Sequence, residues 1–444
     1  MRTLDLTDGP IFERLVRFSL PMIAGNLLQQ VYNLADTLIV GRFISSDALA
    51  SVGSVYTLMT FITSIIIGLT MGSGTFFSSD FGRKDEKTLK TDIWHSFWFI
   101  LLITALIYLI IYPGLDLIQR LLQTPEELAD MTREYMAAVF IGIIFIFLYN
   151  FFAYLLRSIG NSTIPLIFLA ISSVLNIFLD LWFVISFNWG VSGAAIATVI
   201  SQAVSGVGIM IYSFIKLPLL HFKRNEMHWN KSRMMDIIKN DLATGIQQSV
   251  MNFGILMIQG LVNSFGTTIM AAFAAAVKID TIAYMPSQEF ANAYSLFVSQ
   301  NHGAGKEERI RKGTGLSFIF STVFCAFMSA LIFIFAASLM GIFIDGSEIE
   351  IIAEGVKYLR IEGAMYIGIG ILFLWYAYFR GIKKPHISLI LTIISLGTRV
   401  ALSYALAPNT PLGVIAIWLS IPIGWVLADI AGLIFYNRDK KNFK

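Results

Sequence analysis

Long apolar stretches alternate with short polar connections along the whole chain. Each stretch has roughly the 20 mainly apolar residues that a helix needs to cross a bilayer. The pattern predicts twelve membrane-spanning helices, spans 1 to 12, at residues 17–41, 48–76, 91–112, 134–158, 163–186, 191–216, 240–265, 269–300, 313–343, 351–379, 385–407 and 411–436. Because the number of spans is even, both termini are predicted on the same side of the membrane.

The composition agrees with a membrane-embedded body. Of the 444 residues, 56% are hydrophobic and 14% charged, and the mean hydropathy is +0.71. Soluble domains average about a quarter charged residues, and so much apolar surface needs lipid around it. This composition disfavours a cytosolic enzyme, and a disulfide scaffold is disfavoured because Cys325, the only cysteine, cannot form an intramolecular disulfide. The net charge of +3 suggests no nucleic-acid partner.

The basic residues orient the spans. Most of the 32 Lys and Arg residues fall in the terminal segments and in the connections that share their side of the membrane. Such residues accumulate in cytoplasmic loops, so the sequence predicts a multi-pass plasma (inner) membrane protein with both termini cytoplasmic. The longest inner connection divides the spans six and six. It separates a first lobe, 1–216, from a second lobe, 240–444, by a cytoplasmic loop at 217–239.

A weak internal repeat accompanies this division. At a shift of about 221 residues, SSDFGRKDE at 78–86 aligns with SQNHGAGKE at 299–307. At a shift of about 220, Pro165 aligns with Pro385 and Gly193 with Gly413. Both halves start inside, so the repeats would be parallel, as in transporters built from two bundles around a central site. The predicted fold class is an all-α polytopic protein of two six-helix lobes with a central cleft.

Two acids lie inside the spans of the first lobe. Asp36 in span 1 and Asp180 in span 5 are about 8 and 9 Å below the outer face, with Thr198 of span 6 at about 10 Å and Asn176 at about 15 Å. An ionisable residue at such depth is expensive and indicates function. Two carboxylates in one dry layer would hold a proton or share a cation. We therefore predict an ion-coupling site formed by Asp36, Asp180, Asn176 and Thr198.

Further polar residues could line a cleft for a substrate. Span 1 carries Asn26, Gln29 and Asn33 on the face of Asp36. Helix-to-helix hydrogen bonds are the alternative use of such amides. The second lobe has no matching acid pair, but it places Lys278 and Asp280 in span 8 and Arg399 in span 11. These charges could contact substrate or simply pair with acids. Gln248, Asn252, Gln288 and Asn292 complete the cleft candidates of this lobe.

Motifs of energy-coupled or hydrolytic chemistry are missing from the sequence. It contains no GxxxxGK[ST] phosphate loop and no HExxH string, and the five histidines show no metal-ligand spacing. We therefore expect neither an enzyme nor a bound cofactor, and no metal beyond a possible sodium ion at the coupling site.

Several segments together resemble the multidrug and toxic compound extrusion (MATE) transporters. They are YNLADTLIVGRF, LRSIGNSTIPL, SSVLNIFLDLWFV, GVSGAAIATVISQ and AAAVKIDTIAYMPSQEFANAYSLFVSQNHGAGKEERIRKG. The resemblance implies a V-shaped pair of lobes that exports amphipathic, often cationic compounds in exchange for Na+ or H+. In the branch with acids in helices 1 and 5, the cation site matches Asp36, Asp180, Asn176 and Thr198. The chain departs from the branch with coupling acids in helices 7 and 10.

Because the two acids lie at matched depth, our hypothesis is that a cation or proton occupies the Asp36/Asp180 site and rearranges span 1 around Pro21. We expect small amphipathic substrates, a lipid bilayer around the protein and function as a monomer. One alternative is a flippase for lipid-linked oligosaccharide or peptidoglycan precursors, since Lys278 and Arg399 could hold a pyrophosphate. The sequence leaves open whether sodium or protons drive the cycle.

Overall fold

The computed structural model describes residues 3–121, 124–222 and 229–442, and all regular structure in these ranges is helical. The helices are α1 (Ile11–Phe43), α2 (Ser46–Arg83), α3 (Glu86–Ile111), α4 (Leu115–Leu121), α5 (Glu126–Val139), α6 (Ile143–Ser158), α7 (Thr163–Leu181), α8 (Gly190–Lys216), α9 (Lys231–Asn263), α10 (Thr267–Gly303), α11 (Glu307–Met340), α12 (Ile349–Gly363), α13 (Tyr366–Gly381), α14 (Pro385–Leu406) and α15 (Val414–Asn442). A 3₁₀ turn, Phe140–Gly142, joins α5 to α6.

These helices account for the twelve predicted spans. In the described ranges, nine helical segments are long and apolar enough to cross a membrane, and α12 with α13, bent by 51° between them, makes a tenth. Helices α1 and α9 have 33 residues each, a length of about 50 Å. They are long enough to cross, although their polar residues lower their hydropathy. The predicted all-α polytopic fold class is confirmed.

Large apolar side chains cover much of the outer surface. Ile110 is 71% exposed and Val174 69% exposed, and many other leucine, isoleucine and phenylalanine side chains are similarly uncovered. A water-soluble monomer rarely carries an apolar surface of this extent. Such a surface fits lipid tails, which need no polar cover.

The chain divides into two compact units. The first holds the residues up to Leu6 and Leu20–Gly245, and the second holds Thr7–Ser19 and the chain from Ile246 onward. Helix α1 therefore begins in the second unit and continues in the first, with the boundary just before Pro21. Helix α9 begins in the first unit and continues in the second, with the boundary between Gly245 and Ile246. The lobe boundaries at 216 and 240 stay predictions, and residues 223–228 of the predicted loop lie outside the described residues.

In the first unit, α2 packs against α3, α5 and α6, while α8 packs against α6 and α7. Phenylalanine side chains fill the space between these helices. Phe77 of α2 meets Phe151 of α6 edge-on at 5.9 Å, and both are buried. Aromatic pairs of this geometry add stabilisation beyond the area that they bury.

Helices α2 and α9 approach each other through glycines. A Cβ atom added to Gly68 would lie 2.5 Å from the Cα of Gly245, and one added to Gly72 would lie 2.8 Å from the Cα of Asp241. Gly68 and Gly72 form a GxxxG pair, the spacing that lets membrane helices pack backbone to backbone. Asn240 strengthens this contact, because its Nδ2 donates a hydrogen bond to the Gly72 carbonyl at 3.0 Å.

An ion-pair cluster fixes the first turn of α9 in the same unit. The Arg233 Nη2 donates to Asp80 at 2.7 Å and to Asp92 at 2.6 Å, and its Nε donates to Asp92 at 2.9 Å. The guanidinium also lies 4.9 Å from the ring centre of Phe76. Both carboxylates are completely buried. Arg233, one basic residue of the predicted cytoplasmic loop, therefore neutralises two buried acids.

In the second unit, α10 packs against α11, α12 and α13, and α14 packs along α15. Phe273 stacks on Trp418 at 5.3 Å, and Tyr358 meets the same tryptophan edge-on at 4.9 Å. The segment before α1 is tied to this unit, since the Lys306 Nζ donates to the carbonyl of Thr7 at 2.7 Å. These contacts explain why Thr7–Ser19 belongs with the second unit.

Candidate ion and substrate sites

The two predicted coupling acids meet in the first unit. Asp36 lies on α1 and is partly exposed, whereas Asp180 lies in the last turn of α7 and is completely buried. Their carboxyl groups are direct neighbours, close enough for a hydrogen bond if one of them carries a proton. The helix changes to a π-turn, Trp182–Ser186, two residues after Asp180. Single π-turns of this kind are frequent at functional sites.

The two acids and Asn176 carry buried oxygen atoms that lack a hydrogen-bond donor. Within the described residues, no hydrogen-bond partner reaches Oδ1 of Asp36, either carboxylate oxygen of Asp180, or Oδ1 of Asn176. The Asn176 Nδ2 donates to the Thr198 Oγ1 at 3.4 Å, which joins the other two predicted residues. Buried oxygens in this state carry a desolvation cost that a proton or a cation would relieve.

Three tyrosines that the sequence reasoning missed lie near the acid pair. Tyr32 and Tyr135 are close enough to interact electrostatically with both acids, and Tyr56 with Asp36. Tyr32 stands four residues before Asp36 on α1, so helical spacing could have identified it. Tyr56 and Tyr135 come from α2 and α5, and only the packing of the helices brings them here.

The remaining polar candidates lie on the same face of α1 as Asp36. The Asn33 Nδ2 lies 3.5 Å from the Tyr56 hydroxyl, Asn26 is partly exposed and Gln29 is exposed. Pro21 lies inside the continuous helix rather than at its end. The polar stripe on α1 therefore leads from Pro21 toward Asp36 along one helix.

The second unit contains a buried cluster of opposite charges. Asp280 of α10 accepts hydrogen bonds from the hydroxyl groups of Tyr358, at 3.1 Å, and Tyr366. Glu362 interacts directly with Asp280, and Arg399 of α14 interacts electrostatically with both acids. Arg399 thus lies within electrostatic range of two acids, and its role stays a prediction. Glu362, at the end of α12, was missed as a partner because its neighbours come from distant parts of the chain.

Lys278 lies outside this cluster. Its side chain is exposed, and residues two apart on a helix point to different faces. Its side chain therefore points to a different face of α10 from that of Asp280.

Three of the four amide candidates of the second unit line one pocket. Gln248, Gln288 and Asn292 surround it together with Arg380, a residue that the sequence reasoning counted only among the inner basic residues. Asn252 is absent from the lining, and its Nδ2 donates to the carbonyl of Gln248 at 3.3 Å. No group of three or more His, Cys, Asp or Glu suited to a metal ion occurs in the part of the chain that the structure describes.

Comparison with known proteins identifies the family. The MatE family model matches the chain twice, at residues 21–182 and 243–405. The chain belongs to the MatE family. The matched segments include Asp36, Asn176, Asp180, Asp280 and Arg399.

Named relatives extend over nearly the whole MatE chain. The probable multidrug resistance protein YpnP of Bacillus subtilis strain 168 is 30% identical over 98% of this chain and 97% of its own. The probable multidrug resistance protein NorM of Thermotoga maritima is 24% identical over 97% of this chain and 93% of its own. A solved multidrug resistance MATE family transporter of the MOP superfamily, in an outward-facing conformation, superimposes with a TM-score of 0.94 at 24% identity, over 100% of this chain and 99% of its own.

Membership of the MatE family confirms two expectations of the sequence. The protein is a multi-pass membrane protein, and it is a transporter rather than an enzyme. The likeness to the solved transporter shows the fold of the chain.

Proposed function

We propose that this MatE protein is a secondary active multidrug efflux antiporter, which exports small amphipathic, often cationic compounds in exchange for Na+ or H+. Relatives named as multidrug resistance proteins along the whole chain support the export of drugs. The observation that supports ion exchange is the Asp36–Asp180 pair, whose buried oxygens lack donors.

The coupling follows from electrostatics. Two ionised carboxylates side by side in a dry layer repel each other, and a proton or a sodium ion between them removes the repulsion. The ion therefore stabilises the conformation in which Asp36 of α1 lies against Asp180 of α7. A ligand shifts an equilibrium only by its different affinity for the two states. Substrate release follows if the drug prefers the conformation in which the pair is separated.

Helix α1 is suited to carry this change. Pro21 lacks a backbone N–H and removes one hydrogen bond from the helix, which makes this point the easiest place to bend. The helix also passes from one compact unit to the other beside this residue. Movement of α1 about Pro21 would displace Asp36 from Asp180 without unfolding α7.

The precursor flippase receives less support. It needs cations that are available to a pyrophosphate, and Arg399 interacts instead with Asp280 and Glu362. Lys278 alone is a weak basis for such a site.

Proteoliposomes test the proposed antiport. We would measure substrate efflux with a sodium gradient alone and with a pH gradient alone, using the wild type, Asp36→Asn, Asp180→Asn and the control Glu127→Gln, which changes an exposed acid in the same unit. One gradient should drive transport in the wild type and the control, and both Asn variants should fall to the passive leak. Gradient-driven efflux at wild-type rates in both Asn variants would contradict the proposal.

A further inference from the structure

The segment before α1 is bonded to both compact units. Its described residues up to Leu6 group with the first unit, whereas Thr7–Ser19 groups with the second. We call residues 3–10 the strap. The chain changes unit within the strap, between two neighbouring residues that are both buried: Leu6 is 0% exposed and Thr7 is 9% exposed. The strap is therefore covered by other parts of the protein on both sides of this boundary.

In the first unit, the strap lies directly on Gly160. The backbone N–H of Leu4 donates a hydrogen bond to the Gly160 carbonyl at 2.9 Å. A Cβ atom added to Gly160 would lie 2.1 Å from the Leu4 carbonyl oxygen, and φ at Gly160 is +86°. Glycine adopts this conformation readily and lets another backbone come this close. The strap is thus attached to the connection between α6 and α7.

In the second unit, two cations at the start of α11 hold the strap. The Lys306 Nζ donates to the Thr7 carbonyl at 2.7 Å. The Arg309 guanidinium donates through Nη1 to the Gly9 carbonyl at 2.8 Å and through Nη2 to the Asp8 carbonyl at 2.9 Å. Hydrogen bonds from ionised donors are stronger than neutral ones. These three bonds therefore form a firm attachment to the backbone of the strap.

The chain between the two attachments is short. The four residues from Leu4 to Thr7 span at most about 14 Å when fully extended. A movement that stretches the strap beyond this length has to break the bonds at one end. Transporters built from two bundles work largely by rigid-body rocking of one bundle against the other. Such a motion loads the strap whenever it separates Gly160 from Lys306.

We propose that the strap is a latch on the conformational cycle, which has to leave one of its two attachments before the units can move apart at this end. The inference rests on the proposed export function, because antiport requires such a cycle. Bonds that exist in only one of two conformations favour that conformation by their free energy. The strap therefore stabilises the conformation in which both attachments are made. If the strap only anchored α1, loosening it would not change this equilibrium.

Distances between spin labels on the two units test the proposal, in lipid nanodiscs with neither substrate nor ion gradient. The labels are attached through Lys87→Cys on α3 and Arg438→Cys on α15, in a Cys325→Ser background that lacks the native cysteine. Both label positions are exposed, and the sequence predicts both on the inner side together with the strap. Double electron–electron resonance then gives the ratio of long to short distances.

Removing the cations of the second attachment should favour the long distances. Lys306→Gln/Arg309→Gln should raise the ratio of long to short distances by about tenfold or more, because hydrogen bonds to charged groups contribute more than neutral ones. The control Arg311→Gln/Lys312→Gln removes two exposed cations from the same helix and should keep the wild-type ratio.

A change at the first attachment provides an independent test. Gly160→Ala places a methyl group against the Leu4 carbonyl and should also raise the ratio of long to short distances. The control Gly266→Ala has a similar φ of +99° but no atom within 4 Å of its Cβ. It introduces the backbone strain without displacing the strap, so it should keep the wild-type ratio.

The proposal is overturned if Lys306→Gln/Arg309→Gln and Gly160→Ala both keep the wild-type ratio, or if the controls change it as much as they do. If both variants raise the ratio but no gradient drives efflux by the wild type, the antiport proposal fails and the role of the strap stands. If a gradient drives efflux by the wild type and neither variant changes the ratio, only the strap proposal fails.

Discussion

Removing the guanidinium of Arg233 is expected to destabilise the first unit strongly. Arg233→Gln leaves Asp92 without its cation and leaves Asp80 with only the exposed Arg83 at 3.8 Å, and both carboxylates are completely buried. Breaking a buried ion pair by removing one partner typically costs about 3–5 kcal/mol. In a domain the size of this unit, that corresponds to a fall of roughly 6–20 °C in the unfolding temperature.

A second arginine beside the same acid provides the control. Arg83 lies 3.8 Å from Asp80, but its side chain is 49% exposed. Exposed ion pairs contribute about 0–1 kcal/mol, so Arg83→Gln should lower the unfolding temperature by only a few degrees. The two variants therefore compare an arginine that bonds two buried acids with an exposed arginine that contacts only Asp80.

The assay is thermal unfolding of the purified protein in detergent, followed by intrinsic fluorescence. Adding Asp92→Asn to Arg233→Gln should restore part of the loss, because one of the two uncompensated charges is then removed. The reasoning is wrong if Arg233→Gln and Arg83→Gln unfold at the same temperature, or if Asp92→Asn makes the Arg233→Gln protein still less stable.

Two further predictions concern packing and charge. In Gly72→Leu, the new Cβ would lie only 2.8 Å from the Cα of Asp241 on α9. This variant should lose the monodisperse peak in size-exclusion chromatography. The control Gly53→Leu lies on the same helix with no atom within 4 Å of its Cβ, and it should keep the peak. Arg399→Gln should lower the unfolding temperature, because it removes the cation that interacts electrostatically with Asp280 and Glu362, and Glu362→Gln added to it should recover part of this loss. No recovery would mean that Arg399 does not balance the acids.

The spans and the acid pair could be predicted from hydropathy and from the depth of each residue in its span. A membrane-spanning helix needs one continuous apolar stretch of sufficient length and makes its backbone hydrogen bonds within itself. Twelve spans could therefore be placed from the sequence alone. Asp36 and Asp180 are visible because an acid in an apolar stretch is rare, and equal depth on neighbouring spans brings their carboxyl groups together. Their role in coupling remains a proposal.

The contacts of the basic residues could not be predicted from hydropathy or depth. Arg233 and Arg380 look like ordinary cytoplasmic cations, because they stand at the ends of apolar stretches where such residues accumulate. In the structure, Arg233 pairs with Asp80 and Asp92, and Arg380 is buried against α10. Burial depends on which helix packs over a side chain, and pairs more than 80 residues apart leave no local pattern.

Antagonism between the coupling ion and the substrate tests the central claim most directly. Dye affinity would be measured on purified protein without the ion and at a saturating level, by raising sodium at fixed pH or by lowering pH without sodium. Linkage requires that an ion which stabilises the Asp36–Asp180 conformation lowers the affinity for a substrate that prefers the other one. The wild type should lose affinity with one of the two ions, and the Asp36→Asn/Asp180→Asn double variant should bind the dye equally under all conditions. The same ion-dependent loss in the double variant would contradict the account.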